Sequence, residues 1–293
     1  MNERIQSNNP MEIKRRFVFE GDAAAYGGRL VRPADIVIEA RGGSALPVTG
    51  GRCRSDLQPA RFGDFIQVGS ASTSAEGLFD DLKQAVEASF GRVRQDTLTA
   101  TTTVNAEVHD IVVGTKPRLT VKRLRASLVS KTPTGSGETP IRVADDNAVQ
   151  GVDIDGHTFV VELATAAFQQ LDTYCKVRLA ADDPRFQREN GDCLLMSSVS
   201  DGQPAPPVGR LVEGPAGIYA TIVKSIRWNG DPFPGATIDH HQLTVPNFGT
   251  IFFGEIFIKR YSRRLTMMRL ELGSPDGGDV AFAEVRDNGG WSP

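Results

Sequence analysis

The amino-acid sequence predicts a mainly β fold, with α+β as the alternative. We expect two antiparallel β-rich halves that resemble each other, with one or two short helices packed on the sheets. Three observations lead to this prediction: a seven-residue motif that occurs twice, frequent turn residues, and an alternation of apolar and polar residues. The 293 residues include 30 glycines and 17 prolines, which favours turns and short strands over a helical bundle.

The repeated motif is the main organisational signal. Arg-Leu-Thr-Val-Lys-Arg-Leu occupies residues 118–124, and Arg-Leu-Thr-Met-Met-Arg-Leu occupies residues 264–270. Turn residues and a strand-like segment follow both copies, as in a hairpin. An apolar block ending in glycine precedes both, at residues 111–114 and 251–254. We interpret the pattern as an internal duplication.

The duplication predicts three segments. Residues 1–13 are a flexible leader, residues 14–146 form the first β-rich half, and residues 147–293 form the second. The strongest linker-like stretch, residues 202–207, does not coincide with this boundary and is short enough to be a loop.

Each motif is interpreted as a strand whose apolar phase changes in the middle. In the first copy, Leu119 and Val121 share one phase, while Leu124 has the other; the second copy changes phase between Met267 and Met268. A β-bulge, one extra residue in a strand, would produce this change. The alternative is a helix, because Val121, Leu124 and Leu128 also lie at i, i+3 and i+7.

Other segments predict further elements. A helix over about residues 75–90 is indicated by a capping pair, Thr73 and Glu76, and by an apolar stripe that starts at Leu78 and ends at Phe90. Alternation around Val104 predicts a strand. In the middle of the chain, residues 158–163 are strand-like, a short helix around residues 163–171 is an alternative, residues 174–179 alternate like a strand, and residues 182–191 form a polar loop.

Composition narrows the function classes. The net charge of −3 argues against a dedicated nucleic-acid binder, which needs a basic excess. Three cysteines without a CxxC pair argue against a disulfide framework and favour a reducing cytosol. The polar N-terminus lacks the apolar region of a secretory signal, and no apolar run is long enough to span a membrane. We therefore expect a cytoplasmic protein with no cofactor.

Catalytic and metal motifs are not evident. The sequence has no phosphate-binding GxxxxGK[ST] loop, GxSxG elbow or HExxH pair. His109-Asp110 is a candidate general base, and Asp239-His240-His241 is the densest group of metal ligands, but neighbouring strand residues point to opposite faces and chelate poorly. Cys175 is a candidate nucleophile; a small buried core residue is the simpler interpretation. We predict no catalytic or metal residue.

Basic residues recur with the motif. The first cluster contains Lys116, Arg118, Lys122, Arg123, Arg125 and Lys131, and the second contains Lys259, Arg260, Arg263, Arg264 and Arg269. From these we select an anion-binding set of Lys122, Arg123, Arg125, Arg264 and Arg269, because such a face could hold an anionic ligand or an acidic partner. The alternatives are a solvated sheet face and ion pairs within or between subunits.

Three functions compete at this point. The first is a non-enzymatic structural or assembly protein that self-associates through its β-rich halves. Phe252, Phe253, Phe257 and the pair Met267-Met268 make the second motif region more apolar, which suits a subunit contact. The second is a binding module for an anionic ligand. The third is an enzyme with an unrecognised His/Asp site.

Overall fold

The computed structural model describes residues 17–32, 35–81, 98–134, 136–181, 183–190, 196–198, 211–214, 217–273 and 277–291. The strands in these ranges are β1 (Phe17–Val18), β2 (Gly21–Arg32), β3 (Ile36–Arg41), β4 (Ser44–Ala45), β5 (Gly51–Leu57), β6 (Ala60–Phe62), β7 (Ile66–Val68), β8 (Ser70–Phe79), β9 (Thr99–Val113), β10 (Leu119–Pro133), β11 (Ile141–Val143), β12 (Ala148–Ile154), β13 (His157–Leu163), β14 (Met196–Ser198), β15 (Leu211–Gly214), β16 (Gly217–Thr221), β17 (Val223–Trp228), β18 (Thr237–Asp239), β19 (Gln242–Val245), β20 (Gly249–Ile258), β21 (Arg263–Leu272), β22 (Gly277–Asp287) and β23 (Gly290–Trp291). The helices are α1 (Thr165–Gln170), α2 (Tyr174–Ala181) and α3 (Pro184–Asn190).

Two large sheets contain nearly all of these strands. The first sheet has the order β17-β13-β12-β10-β9-β7-β6, with β8 beside β9, β5 beside β8 and β11 beside β10. The second has the order β14-β15-β16-β20-β21-β22-β2-β3, with β19 beside β20, β18 beside β19 and β4 beside β2. Strands β1 and β23 form a separate pair. Among the described strands only β14 and β15 pair in parallel. The predicted fold class, mainly antiparallel β with few short helices, is confirmed.

The core lies between the two sheets. Strands β9 and β10 of the first sheet pack against β21 and β22 of the second, and β9 also packs against β2. Fully buried small side chains, Ala106, Ala126 and Ala283, line these strands and allow the sheets to approach closely. At one corner Ile222 joins β16 of the second sheet to β17 of the first. Its N–H donates to the Gly254 carbonyl at 2.8 Å, and its carbonyl accepts from Ala164 N at 2.7 Å.

Both motif copies are strands, as predicted. The first copy opens β10 and the second lies at the start of β21. Leucines in both copies are fully buried: Leu119, Leu124, Leu265 and Leu270. The two motif strands contact each other across the core. The hairpin after each copy is also present, since β10 pairs with β11 and β21 pairs with β22 in antiparallel fashion.

The phase change in the first motif is real, but a bulge does not cause it. Val121 pairs with Ile111 and Arg123 pairs with His109, so each strand contributes one residue between these two pairs. On β9 that residue is Asp110, with a φ of 52°. A left-handed residue interrupts the extended backbone that makes side chains alternate. The predicted extra residue is therefore wrong, and a left-handed residue on the paired strand lies opposite the phase change.

The second motif changes phase in the same way. Phe253 pairs with Met268 and Glu255 pairs with Thr266, again without an extra residue. Gly254, between them on β20, has a φ of 59°. Its Cα faces Ile222 and Val223 so closely that an added Cβ would lie 2.8 Å from the Ile222 side chain. Glycine is thus required both for the backbone conformation and for the corner.

The predicted helix at residues 75–90 is wrong where it can be checked. Residues 75–79 belong to strand β8, which pairs with both β5 and β9; residues 82–90 lie outside the described residues. Thr73, predicted to cap the helix, is a buried strand residue whose hydroxyl donates to the Gly42 carbonyl at 2.5 Å. At Leu78, the start of the predicted stripe, pairing with β9 overrides the local periodicity.

The middle of the chain is more helical than predicted. Residues 174–179 belong to helix α2 instead of a strand, and Val177, Ala180 and Ala181 form its buried side. Helix α3 occupies most of the predicted polar loop at residues 182–191. Both interpretations of residues 158–171 hold, because strand β13 is followed by helix α1. Spacing of i, i+3 and i+4 around Val177 was the available signal.

The two large sheets do not coincide with the two predicted halves. Strand β2, near the N-terminus, pairs along its length with β22, near the C-terminus. Strands β12, β13 and β17, from the second half, lie in the first sheet. The upstream blocks also differ, since Gly114 follows the end of β9 while Gly254 lies inside β20. Internal duplication and the boundary at residue 146 stay predictions, and the linker-like residues 202–207 and the leader lie outside the described residues.

Candidate functional site

Two of the predicted anion-binding residues are held by a carboxylate on the outer face of the first sheet. Arg123 Nε donates to Glu107 Oε1 at 2.7 Å, and Arg125 Nη1 donates to Glu107 Oε2 at 2.6 Å. Arg125 also lies 2.5 Å from Asp146, and His109 Nε2 lies 3.0 Å from Glu107. Burial alone would raise the pKa of Glu107, but the two arginines hold it below its ordinary value. The charges are therefore largely balanced within the chain.

Arg269 is held in the same way on the outer face of the second sheet. Its Nε and Nη2 donate to the two oxygens of Glu255 at 2.7 and 2.9 Å, and its Nη1 donates to Glu271. Its guanidinium carbon lies 3.8 Å from the ring centroid of Phe252. Burial alone would raise the pKa of Glu255, but the hydrogen bonds from Arg269 and the nearby His241 lower it to about 2. This bidentate, stacked arrangement fixes the arginine.

The side chains of the other two predicted residues, Lys122 and Arg264, have no hydrogen bond or ion pair with the described residues. Lys122 is exposed on β10, and Arg264 is exposed on β21. The five predicted residues are thus divided between the outer faces of the two sheets, and they do not form one surface.

The apolar residues of the second motif region are mostly buried. Phe253, Met267 and Met268 have no exposed area, and Phe252 is 7% exposed. Phe257 stacks on Tyr219, with ring centroids 4.3 Å apart. Most of these side chains are therefore buried within the chain, and only Phe257 is partly exposed. That this region suits a subunit contact stays a prediction.

The histidines do not converge. His109 lies on the first sheet, His241 lies beside Glu255 on the second, and His157 packs on Phe233 with ring centroids 5.4 Å apart. His240 is at the turn between β18 and β19 and has a φ of 52°. Across the described ranges, no group of three His, Cys, Asp or Glu side chains is arranged for a metal ion.

Cys175 has neither of its predicted environments. It is exposed at the start of α2, so it is not a buried core residue. A hydrogen bond with Glu138 raises the pKa of its thiol, which is the opposite of nucleophile activation.

A pocket of about 360 Å³ opens at the turn between β20 and β21. The Lys259 N–H donates to the Ser262 carbonyl at 2.7 Å and closes this turn. The lining residues are Tyr174, Gly217, Lys259, Arg260, Tyr261, Ser262 and Asn288. Aromatic rings, two cations and polar groups therefore meet in one concavity, a combination typical of small-molecule sites.

Two buried charged residues lie next in sequence to the pocket lining. Arg263 follows Ser262 and is 1% exposed; Asp287 precedes Asn288 and is fully buried. They are direct cross-strand neighbours on β21 and β22. Burial lowers the pKa of Arg263 to about 10, partly offset by nearby carboxylates. Burial raises the pKa of Asp287 to about 7, against the lowering effects of Ser130, the Gly289 N–H and Arg263.

Polar atoms without a protein partner concentrate around this pair. Arg263 Nη1, Asp287 Oδ2 and the hydroxyls of Thr102, Ser130 and Thr132 are buried without a hydrogen bond to the described residues. Thr102 and Ser130 are cross-strand partners on β9 and β10. The sequence did contain a signal for this cluster, because Arg263 occupies the same strand phase as the core residues Leu265 and Met267.

In the part of the chain that the structure describes, no helix is long and apolar enough to cross a membrane. Neither the curated proteins nor the solved structures include a match to this chain. Residues 17–259 match a family described as a domain of unknown function, DUF8256. The match begins at β1, ends at the pocket residue Lys259 and covers strands β1 to β20. The chain therefore belongs to the DUF8256 family.

Proposed function

We propose that the protein is a structural or assembly protein that self-associates through strand β3, by antiparallel pairing with β3 of a second copy. Strand β3 is the terminal strand of the second sheet, and among the described strands only β2 pairs with it. An open edge presents unpaired backbone donors and acceptors that another strand can bind.

A comparison of edge strands supports this proposal. Strand β5, at an edge of the first sheet, exposes Arg52, Arg54 and Asp56, and Arg52 pairs with Glu76 at 2.5 Å. The opposite edge, β17, exposes Lys224 and Arg227, both paired with Glu162. Charged edges of this kind oppose strand addition.

Strand β3 exposes two charged residues, Glu39 and Arg41, as β17 does, but it also exposes the apolar Val37 and Ala40. Val37 is 67% exposed, and Val31 on the neighbouring strand is 54% exposed. The exposed apolar surface of Val37 and Val31 at this edge is the observation that carries the proposal.

The residues of β3 are also self-complementary. In a regular two-fold register centred on Ile38, each Ile38 lies opposite its copy, Val37 lies opposite Glu39, and Arg41 lies opposite Asp35, the residue before β3. This register requires that the irregularity of β3 between Ile38 and Arg41, present in its pairing with β2, straightens on association. Each Arg41 then adds a second arginine to an Asp35 carboxylate that Arg29 of its own chain holds at 2.7 Å, so opposite charges adjoin across the interface. A two-fold contact of this kind closes into a dimer.

The other two candidate functions have less support. Anion binding by the predicted set requires available cations, yet Arg123, Arg125 and Arg269 are already paired with carboxylates. An enzyme that uses the histidines requires them to meet in a pocket, and no histidine lines the pocket at the β20–β21 turn.

Sedimentation analysis over a wide concentration range tests the proposal. We expect the native chain to form a dimer and Val37→Lys to shift the equilibrium strongly to the monomer, because the lysine adds charge to the edge. Val48→Lys is the matched control, since Val48 is also a valine with 64% exposure but lies outside β3. We expect Val48→Lys to associate like the native chain.

Exchanging the charges of Arg41 and Asp35 tests whether these residues meet at the β3–β3 interface. Arg41→Asp should weaken association by placing like charges opposite each other, and Arg41→Asp combined with Asp35→Arg should restore it. A native chain that stays monomeric at all concentrations, or a Val48→Lys variant that dissociates as much as Val37→Lys, would contradict the proposal.

A further inference from the structure

We propose that the pocket at the β20–β21 turn binds a small organic anion, a phosphate or carboxylate carried on a planar aromatic body. This site lies outside the predicted anion-binding set, and it does not depend on the pairing of β3.

The charge of Lys259 is the first reason. No carboxylate in the described residues lies within ion-pairing distance of its ammonium group, which sits 5.2 Å from the ring centroid of Phe257. Arg123, Arg125 and Arg269, in contrast, each contact a glutamate at 2.7 Å or less. Lys259 therefore retains a charge that a ligand can neutralise.

Arg260 adds a second cation with only partial compensation. Its Nε lies 3.6 Å from Glu138 Oε1, and its side chain is 62% exposed. At that separation the contact is an ion pair but too long for a strong hydrogen bond, so guanidinium donors stay available. The Ser262 side chain adds a hydroxyl to the same lining.

The buried charges behind the lining do not cancel these cations. Arg263 keeps its positive charge at neutral pH, because its pKa of about 10 lies well above 7. Its Nη2 donates to the Leu171 carbonyl, close to the chain segment that leads to Tyr174. Asp172, Asp287 and Glu138 offset the charge of Arg263, so the buried groups balance one another and Lys259 and Arg260 are the cations of the pocket.

The aromatic lining and the size of the pocket indicate the body of the ligand. Tyr174 and Tyr261 both line it, and Tyr261 is 50% exposed. A volume of about 360 Å³ is at the lower end of the range for small-molecule sites. An aromatic ring fits this space and can pack against tyrosine.

The turn that carries Lys259 and Arg260 is anchored at both ends. Lys259 to Ser262 form a four-residue connection whose ends are fixed by strands β20 and β21. Asn288, on the other side, donates its side-chain amide to Glu20 Oε2 at 2.8 Å. The pocket is thus built largely from positioned residues, which reduces the ordering cost of binding.

Calorimetric titration with phenyl phosphate and with benzoate tests the proposal. We expect saturable binding of at least one of them to a single site, weakened by added salt. Lys259→Ala should weaken it about tenfold, the loss expected for one charge-assisted hydrogen bond. Lys259→Arg should retain most of the affinity, because it keeps the charge.

Lys122→Ala is the matched control, since Lys122 is also an exposed lysine without an ion pair among the described residues. We expect it to bind the probe like the native chain. Inorganic phosphate should bind more weakly than phenyl phosphate, because it lacks the ring. No saturable binding of either probe, equal losses in Lys259→Ala and Lys122→Ala, or equal affinity for inorganic phosphate would overturn the proposal. Thermal melts of the variants confirm that each is folded.

Discussion

The hairpin β9–β10 and the hairpin β20–β21 place the motif arginine in the same role but build different surroundings for it. Arg123 and Arg269 occupy the same position in the two motif copies, and each binds a glutamate on the preceding strand. In the first hairpin one glutamate serves two arginines; in the second one arginine serves two glutamates and packs on Phe252. The shared motif therefore specifies a cross-strand ion pair, and the neighbours determine how tightly it is held.

The centres of the two motifs differ more than the ion pairs. Lys122, opposite the left-handed Asp110, is exposed, while Met267, opposite the left-handed Gly254, is fully buried. The same interruption of a strand pair thus supports a solvated lysine on one sheet and a core methionine on the other. The interruption also lies one motif position earlier in the second copy, because Met267 matches Val121 and Met268 matches Lys122.

The largest expected effect comes from exchanging these two centres. Met267→Lys places an unpaired charge in the core, and we expect it to lower the free energy of unfolding by at least about 3 kcal/mol. Lys122→Met should change it by less than about 0.5 kcal/mol, because the site is exposed. Urea unfolding followed by circular dichroism measures both. Similar decreases in the free energy of unfolding of the two variants would contradict the difference in burial between Lys122 and Met267.

The second prediction concerns the glutamates. We expect Glu255→Gln to cost about 2–4 kcal/mol, because it leaves the partly buried Arg269 with only Glu271. Glu107→Gln should cost less, since Arg125 keeps Asp146 as a partner. Both values come from urea unfolding at neutral pH.

The third prediction concerns the pH dependence of stability in the Glu255→Gln variant. The pKa of Glu255 in the fold, about 2, lies below its ordinary value of 4.5. Its ionised form therefore stabilises the fold above pH 4.5, and this contribution is lost as the pH falls from 4.5 to 2. Glu255→Gln should make stability less dependent on pH in that window. An unchanged pH profile would show that the Arg269 contact does not hold the charge of Glu255.

The smallest effect concerns the left-handed residues. Asp110→Ala should lower stability by about 1 kcal/mol, because alanine disfavours a positive φ more than aspartate does. Asp110→Gly should change it by less than about 0.5 kcal/mol. Denaturant unfolding distinguishes the two, and equal stability of both variants would indicate that β9 adopts an extended conformation at this position.

Strand positions were predictable where local alternation and paired partners agree. Around Val104 and in both motifs, buried and exposed residues alternate as the sequence indicates. At residues 75–79 the apolar spacing indicated a helix, but pairing with β5 and β9 imposes a strand. At residues 174–179 the reverse occurred, because α2 buries Val177 without any strand partner. Where the apolar residues of a short segment fit both helical and strand periodicity, tertiary packing determines which structure forms.

The fold class, the motif strands and their phase change were predictable from the sequence, because all three depend on the order of apolar residues along one segment. Which cations remain without a carboxylate partner, and so can bind a ligand, depends on the tertiary structure. Arg123, Arg125 and Arg269 lie opposite carboxylates on neighbouring strands, while Lys259 at the β20–β21 turn does not. The tertiary structure also decided that β2 completes the second sheet beside β22. These outcomes depend on strand register between distant segments, which no local pattern encodes.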